Sequence, residues 1–331
     1  MKTWINDVLS KAEVTSLPIM THPGIELIGE TVKRAVTDGE VHFRAIQAVA
    51  ERYHTSSCTV IMDLTVEAEA FGAQVKFPED EVPTVIGRLI TDMDSVDKLQ
   101  IPDLSQGRLP EYLKANRLAV EFMKDRPVFA GCIGPYSLAG RLYDMSEIMV
   151  AIYIEPDMIL ALLDKCTEFL IQYCKALKEL GTAGVVIAEP AAGLLSNEDC
   201  MMYSTVFVKR IVEAVQDDDF TVILHNCGNT GQCTLAMVES GANALHFGNK
   251  IDVVEALKEC PSNILVMGNL DPVGILKQSN SQQVVAETME LLERTKGYGN
   301  FVISTGCDVP PLVPEENIQA FFDTIQRFNA K

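Results

Sequence analysis

A (β/α)8 barrel is the fold this sequence predicts, on three observations. Eight β-rich runs recur along the chain, helical stretches separate them, and the glycine fingerprint of the competing doubly wound sheet is missing. Each run stops in Gly, Pro, Asn or Asp, as a strand feeding a loop does.

The runs are SLPIM, SCTVIM, PVFAGC, GVVIAE, TVILHN, NALHFG, NILVMG and FVISTG. A short amphipathic N-terminal helix precedes them, and PEENIQAFFDTIQRF closes the chain as another amphipathic helix. Between the runs, Ser146 and Ser196 stand where helix N-caps belong, Gly181, Gly241 and Gly297 where helices end, and Pro314 in a first helical turn. Gly131, Gly134 and Gly140 do not fit G-x-G-x-x-G, which argues against dinucleotide binding by an open sheet. The stretch from Phe71 to Leu109, rich in Pro and charge, reads as an excursion after the second strand, a hairpin and lid rather than a domain. Residues 1–331 are therefore expected to form a single barrel domain with a short N-terminal helical extension.

Composition narrows the function. The charged fraction of 22% and apolar fraction of 47% suit a large core, and the net charge of -19, without any Lys/Arg run, would repel a phosphate backbone or an anionic lipid surface. No secretory h-region and no stretch of about 18 uninterrupted apolar residues is present, so a cytoplasmic location is expected. Nine cysteines, an odd number at low density, point to reduced thiols: mostly core residues, with a few metal ligands.

In a parallel barrel, chemistry gathers on the loops after the C-terminal strand ends. Here those loops read THPG, DLTVEAEAFG, GPYSLAG, EPAAG, HNCG, GNK, GNLDP and GCDVPP. His225 and Cys227 flank one residue at the end of the fifth run, and Cys307 ends the eighth. Each alone is more often a core side chain. Converging across a barrel mouth, one imidazole and two thiolates suit zinc and leave one position open. Zinc lowers the pKa of a substrate thiol held there, while two anionic sulfurs leave that thiolate nucleophilic towards a soft electrophile, above all a methyl group.

The motifs HNCG at His225 to Gly228, GNLDP at Gly268 to Pro272, STGCDVPP and PEENI between Ser304 and Ile318, and LTVEAEAFG at Leu64 to Gly72 resemble the uroporphyrinogen decarboxylase superfamily, specifically its corrinoid-dependent methyltransferase branch. The resemblance covers the chain from about Pro18 to Phe328. It implies transfer of a methyl group from a methylated corrinoid protein to a thiol such as coenzyme M, with zinc held by His225, Cys227 and Cys307, and with the corrinoid (cobalamin) carried by the partner. The superfamily's decarboxylases hold substrate carboxylates with an Arg-rich N-terminal motif, whereas the corresponding strand end here, PIMTHPGIEL, has no arginine. Cobalamin-independent methionine synthase, a cousin in metal chemistry, adds a glutamate; its neighbourhood here holds Asn249 and Lys250, leaving the fourth ligand open.

Further residues are weighed for roles around that centre. Glu189 reads as a fourth ligand, as a proton acceptor for the thiol, or as a brace between loops. Asp63, with Glu67 and Glu69, is placed to handle protons or meet the corrinoid, or to start a solvated helix. His22 and His246 are placed to contact the corrinoid or support a ligand, a core or loop-bracing histidine being the commoner case, and Tyr136 and Tyr143 to line a wide entrance or simply to pack between loops and helices. Asn269 and Asp271 read as substrate or cofactor contacts or as caps of the helix that follows, the cap being favoured for Asp271 before Pro272, and Asp308 as an orienter of a ligand or a turn residue. Competing functions keep the barrel and change the partners: another donor or acceptor (homocysteine, tetrahydrofolate, or loading of a corrinoid protein), or a tetrapyrrole-binding protein with a structural metal.

Overall fold

The structure, a computed structural model, describes residues 4–330. Its strands in chain order are β1 (Thr15–Ser16), β2 (Cys58–Thr59), β3 (Gln74–Lys76), β4 (Thr84–Ile86), β5 (Val128–Ile133), β6 (Gly184–Ala188), β7 (Thr221–Asn226), β8 (Ala244–Phe247), β9 (Leu265–Leu270) and β10 (Phe301–Thr305). Eight of them form one sheet in the order β1-β10-β9-β8-β7-β6-β5-β2. Every ladder in it is parallel, helices intervene, and the result is the (β/α)8 barrel that the runs predict. The ends of that order, β1 and β2, meet without a strand ladder; the Ser16 N–H donates to Ser56 Oγ at 3.2 Å across the seam.

The first run is shorter as a strand than SLPIM suggests. Leu17 N–H still reaches the Ile303 carbonyl at 2.9 Å, but Pro18 has no N–H to continue the ladder. The chain then enters a helix, Thr21–Leu27, so THPG is a helical first turn and not an open loop. The excursion does contain a hairpin, β3 paired antiparallel with β4. Ser196 caps its helix as expected, accepting from Asp199 N–H at 3.1 Å. Ser146 does not: Asp144, two residues earlier, accepts from the N–H groups of Ser146 and Glu147 at 2.8 and 3.0 Å, both on its Oδ1, and so takes the capping role. Gly181 and Gly241 end helices at φ +89° and +77°, Gly297 stays out of that region, and Pro314 is itself the N-cap of Glu315–Asn329.

Strand alternation sorts the core into two layers. Val222 and Leu224 of β7, Val185 and Ile187 of β6 and Leu245 of β8 face the helices. Ile223, Val186, Ala244, Leu265, Met267 and Val302 face inward and pack with Ile5 and Val8 of the helix Trp4–Ser10, which closes the barrel floor, its Trp4 ring edge-on to Phe129 at 4.7 Å. Among the described residues no helix is long and apolar enough to cross a membrane.

Arg108 ties the end of the excursion to the barrel. Its guanidinium pairs with Asp63 beyond β2, donates to Glu69 at 2.6 Å, to Thr65 Oγ1 at 2.8 Å and to the Val36 carbonyl at 3.1 Å, and stacks 4.7 Å from the Phe77 ring centroid. Both side chains of the Arg108–Asp63 pair are almost wholly buried, at 7% and 1% exposure, so each charge depends on the other. Arg108→Met should therefore lower the unfolding free energy by about 3–5 kcal/mol, read as a fall in the urea midpoint at neutral pH. A loss below about 1 kcal/mol would mean that Asp63 does not need its counter-charge.

Candidate metal centre

The alternation that faces Ile223 inward turns His225, two residues on, inward too, above the apolar layer and at the barrel mouth. Beyond it the chain turns sharply because the Asn226 Oδ1 accepts from both Gly228 and Asn229 N–H at 3.1 Å. The turn is pressed against the next loop: a Cβ on Gly248 would lie 2.6 Å from the Cys227 carbonyl oxygen, so only glycine lets that loop pass. Cys307 arrives from the other side, following Gly306, whose N–H donates to the Leu270 carbonyl at 2.8 Å.

The outcome is convergence. Ligand atoms of His225, Cys227 and Cys307 all lie within 4.8 Å of one another, the one such group of three found among the described residues. Cys307 Sγ is 4.0 Å from His225 Nε2. All nine cysteines are free, and Cys227 and Cys307 are the two that are not fully buried. The two thiols influence each other: the neighbouring Cys307 lowers the Cys227 pKa to about 7, and the neighbouring Cys227 together with burial raises that of Cys307.

Two sulfurs and one imidazole nitrogen form a soft set of the kind zinc takes, and a tetrahedral zinc with bonds of roughly 2.0–2.3 Å would draw the three atoms together by only a few tenths of an ångström to an ångström. The residues present therefore fit zinc, which His225, Cys227 and Cys307 would hold with one position left for a further ligand.

Other residues singled out in the sequence take these positions. Glu189 lies beside His225 in the backbone, its N–H donating to the His225 carbonyl at 2.8 Å, but its carboxylate points away from the sulfurs' group and accepts from Ser137 N–H at 3.0 Å and Ser204 Oγ at 2.8 Å. Burial raises its pKa to about 7 against those donors. Asp63 belongs to the Arg108 pair described above. Asn269 spends its amide N–H groups on the Gly248 and Ile251 carbonyls at 2.9 and 2.8 Å. Tyr136 is wholly buried with its hydroxyl unpartnered, and Tyr143 is buried beside Arg88, so neither rings an open entrance. His22 is buried on the helix after β1, where burial lowers its pKa. The neighbouring Thr21 N–H donates to Asp308 at 2.8 Å; burial raises the Asp308 pKa to about 6. Asp271 caps as expected, accepting from Val273 and Gly274 N–H at 2.9 Å. The part of Arg108 is absent from the sequence reading, since no local pattern ties it to Asp63. Asn226 carries a signal that reading passes over, an Asx turn inside HNCG.

Fold and site together define a (β/α)8-barrel protein with a His-Cys-Cys ligand set at the C-terminal mouth. The chain belongs to the uroporphyrinogen decarboxylase family, whose profile matches residues 8–328. A relative, the methylcobamide:CoM methyltransferase MtbA of Methanosarcina mazei, is 30% identical over 288 residues, 85% of this chain and 83% of its own. In solved structures, a methyltransferase from Methanosarcina mazei superposes with a TM-score of 0.88 at 23% identity, over 97% of this chain and 96% of that one. A B12-independent methionine synthase from Shewanella sp. W3-18-1 shares the fold at a TM-score of 0.59 and 13% identity, over 95% and 94%.

Glu67 offers a test of how this mouth handles charge. It is buried, accepts from Ile133 N–H at 3.0 Å through one oxygen and has no partner at the other; burial raises its pKa from 4.5 to about 7. A folded carboxyl that keeps its proton longer than the unfolded one contributes stability that is complete below about pH 4.5 and lost as pH rises through about 7. Glu67→Gln should thus remove up to about 3 kcal/mol of the stability loss between pH 5 and 8 in paired urea titrations. Parallel pH profiles for the two proteins would refute the assignment.

Proposed function

We propose that this chain moves a methyl group from a methylated corrinoid, carried by a partner protein, to a small thiol such as coenzyme M, at a zinc held by His225, Cys227 and Cys307. The observation that carries the reading is the convergence of one imidazole and two thiols within 4.8 Å at the mouth of a barrel. The likeness to a methylcobamide:CoM methyltransferase supports the donor and acceptor classes. Zinc there would supply a Lewis acid that lets a thiol at the open position lose its proton near neutral pH.

The chain's own residues then divide the work. Cys227 and Cys307 would hold the metal as thiolates, and their charge would keep the substrate sulfur electron-rich. Ile223, Ala244 and Val302, packed beneath, close the site from below against water. In the net reaction the thiol loses its proton, its sulfur forms the new carbon–sulfur bond to the methyl group, and the carbon–cobalt bond breaks with its electron pair left on the cobalt of the donor. Glu189 and Asp63 serve as braces of the rim, Glu189 being tied to His225 through its backbone N–H. His22, one residue from the Thr21–Asp308 contact, is the residue we assign to the corrinoid side, and the chain acts as one barrel domain.

Purified protein should carry about one zinc per chain, and Cys307→Ala should lose it while keeping its far-ultraviolet circular dichroism. With methylcobalamin as donor, loss of the methyl-cobalt absorbance across a panel of coenzyme M, homocysteine and simpler thiols should single out the acceptor. Methyl transfer by protein free of zinc would overturn the mechanism.

A further inference from the structure

We propose that His246 and Ser304 are positioning residues that fix the tautomer of His225 and so present a bare Nε2 to the metal. The inference rests on the metal centre, and it is independent of which donor or thiol the centre serves.

The hydrogens can be assigned one at a time. Ser304 is wholly buried; its Oγ lies 2.7 Å from the Leu17 carbonyl oxygen and 3.1 Å from that of Thr305. Carbonyls only accept, so the single hydroxyl hydrogen is committed to one of them. Ser304 Oγ must then accept from His246 Nε2, 2.7 Å away, which places the ring hydrogen of His246 on Nε2 and leaves its Nδ1 as an acceptor. His246 Nδ1 is 2.7 Å from His225 Nδ1, too close for two lone pairs to face each other, so the hydrogen between them belongs to His225. A neutral His225 with its hydrogen on Nδ1 has a lone pair on Nε2, the atom 4.0 Å from Cys307 Sγ.

Geometry holds the relay in place as well as proton count. His225 and His246 are register partners across β7 and β8, their rings meeting edge to face at 4.6 Å and 70°, and Ser304 projects from β10 towards the same interior. A metal-bound histidine commonly leans on a carboxylate or carbonyl. Here it leans on a second imidazole, and the nearby Asp308 carboxylate is directed to Thr21 N–H instead.

The test uses full-length chain stripped of metal and titrated with Zn2+ against a chromophoric chelator. His246→Leu, which removes the acceptor, should weaken Zn2+ binding by roughly 10–100-fold. His246→Asn, whose Oδ1 can stand where Nδ1 stood, should stay close to wild type, and Ser304→Ala should fall between. With Co2+ as probe, the sulfur-to-cobalt charge-transfer band should follow the same order. Nitrogen-15 NMR of histidine-labelled wild type should find the His225 hydrogen on Nδ1. Should His246→Leu fail to fold, the Asn variant and the NMR assignment carry the decision. Unchanged affinity in a folded Leu variant, an Asn variant as weak as Leu, or a His225 hydrogen on Nε2 with Zn2+ bound overturns the relay. Intact ranking of affinities in a protein that methylates no thiol would sink the proposed function and leave the relay standing.

Discussion

A polar side chain turned into a parallel barrel meets no water below the rim, so it must find its partner on another strand. That constraint organises this molecule from floor to mouth. The helix Trp4–Ser10 and the inward residues Ile223, Ala244, Leu265 and Val302 fill the lower barrel with apolar volume. One step higher on the same strands the inward positions become His225, His246 and Ser304, bonded to one another and to the Leu17 carbonyl. Only above that layer do the sulfurs appear. A slip of one residue in the β7–β8 register would turn His225 to the helices and dissolve both the relay and the ligand set.

The same constraint explains how an acidic chain buries charge near its mouth. Asp63 keeps its charge because Arg108 is driven in beside it. Glu67 and Glu189 have hydrogen-bond donors but no ion pair of their own, and burial shifts both towards the neutral form at about 7. These are two solutions to one cost, pairing or protonation. His246, buried with His225 against it, is pushed well below the usual histidine pKa and stays neutral, as burial does to an unpaired imidazole.

Legibility in the sequence follows the range of the interaction concerned. Barrel strands announce themselves because β-branched runs ending in turn residues are local, and six of the eight sheet strands keep most of their runs; the first and second shorten because the ladder stops at Pro18 and beside the seam. The convergence of His225, Cys227 and Cys307 was readable because His-x-Cys and a strand-end cysteine are scarce residues at the functional face. Glu189 was placed correctly along the chain, next to His225, yet its carboxylate turns to Ser137 and Ser204, and a sequence carries no rotamer. Arg108 was invisible, its four partners coming from two segments about 40 to 70 residues away in the chain. His246 and Ser304 were both in view, but their relation to His225 exists only once the strand register is known.

The neutrality of that relay bears on what the centre can do. A carboxylate behind His225 would add negative charge to a site that already gathers two thiols destined to ionise, and the sum would exceed what one divalent cation balances. With a second imidazole in that place, the charges of an ionised Cys227 and Cys307 would match those of the divalent cation proposed for the site. The electron density at the open position is then governed by the sulfurs, which can be varied without disturbing the strands beneath. Ser304, carried by β10 only three residues before Cys307, binds both halves of that arrangement to one strand, so the bare nitrogen and the second sulfur are set by the same backbone.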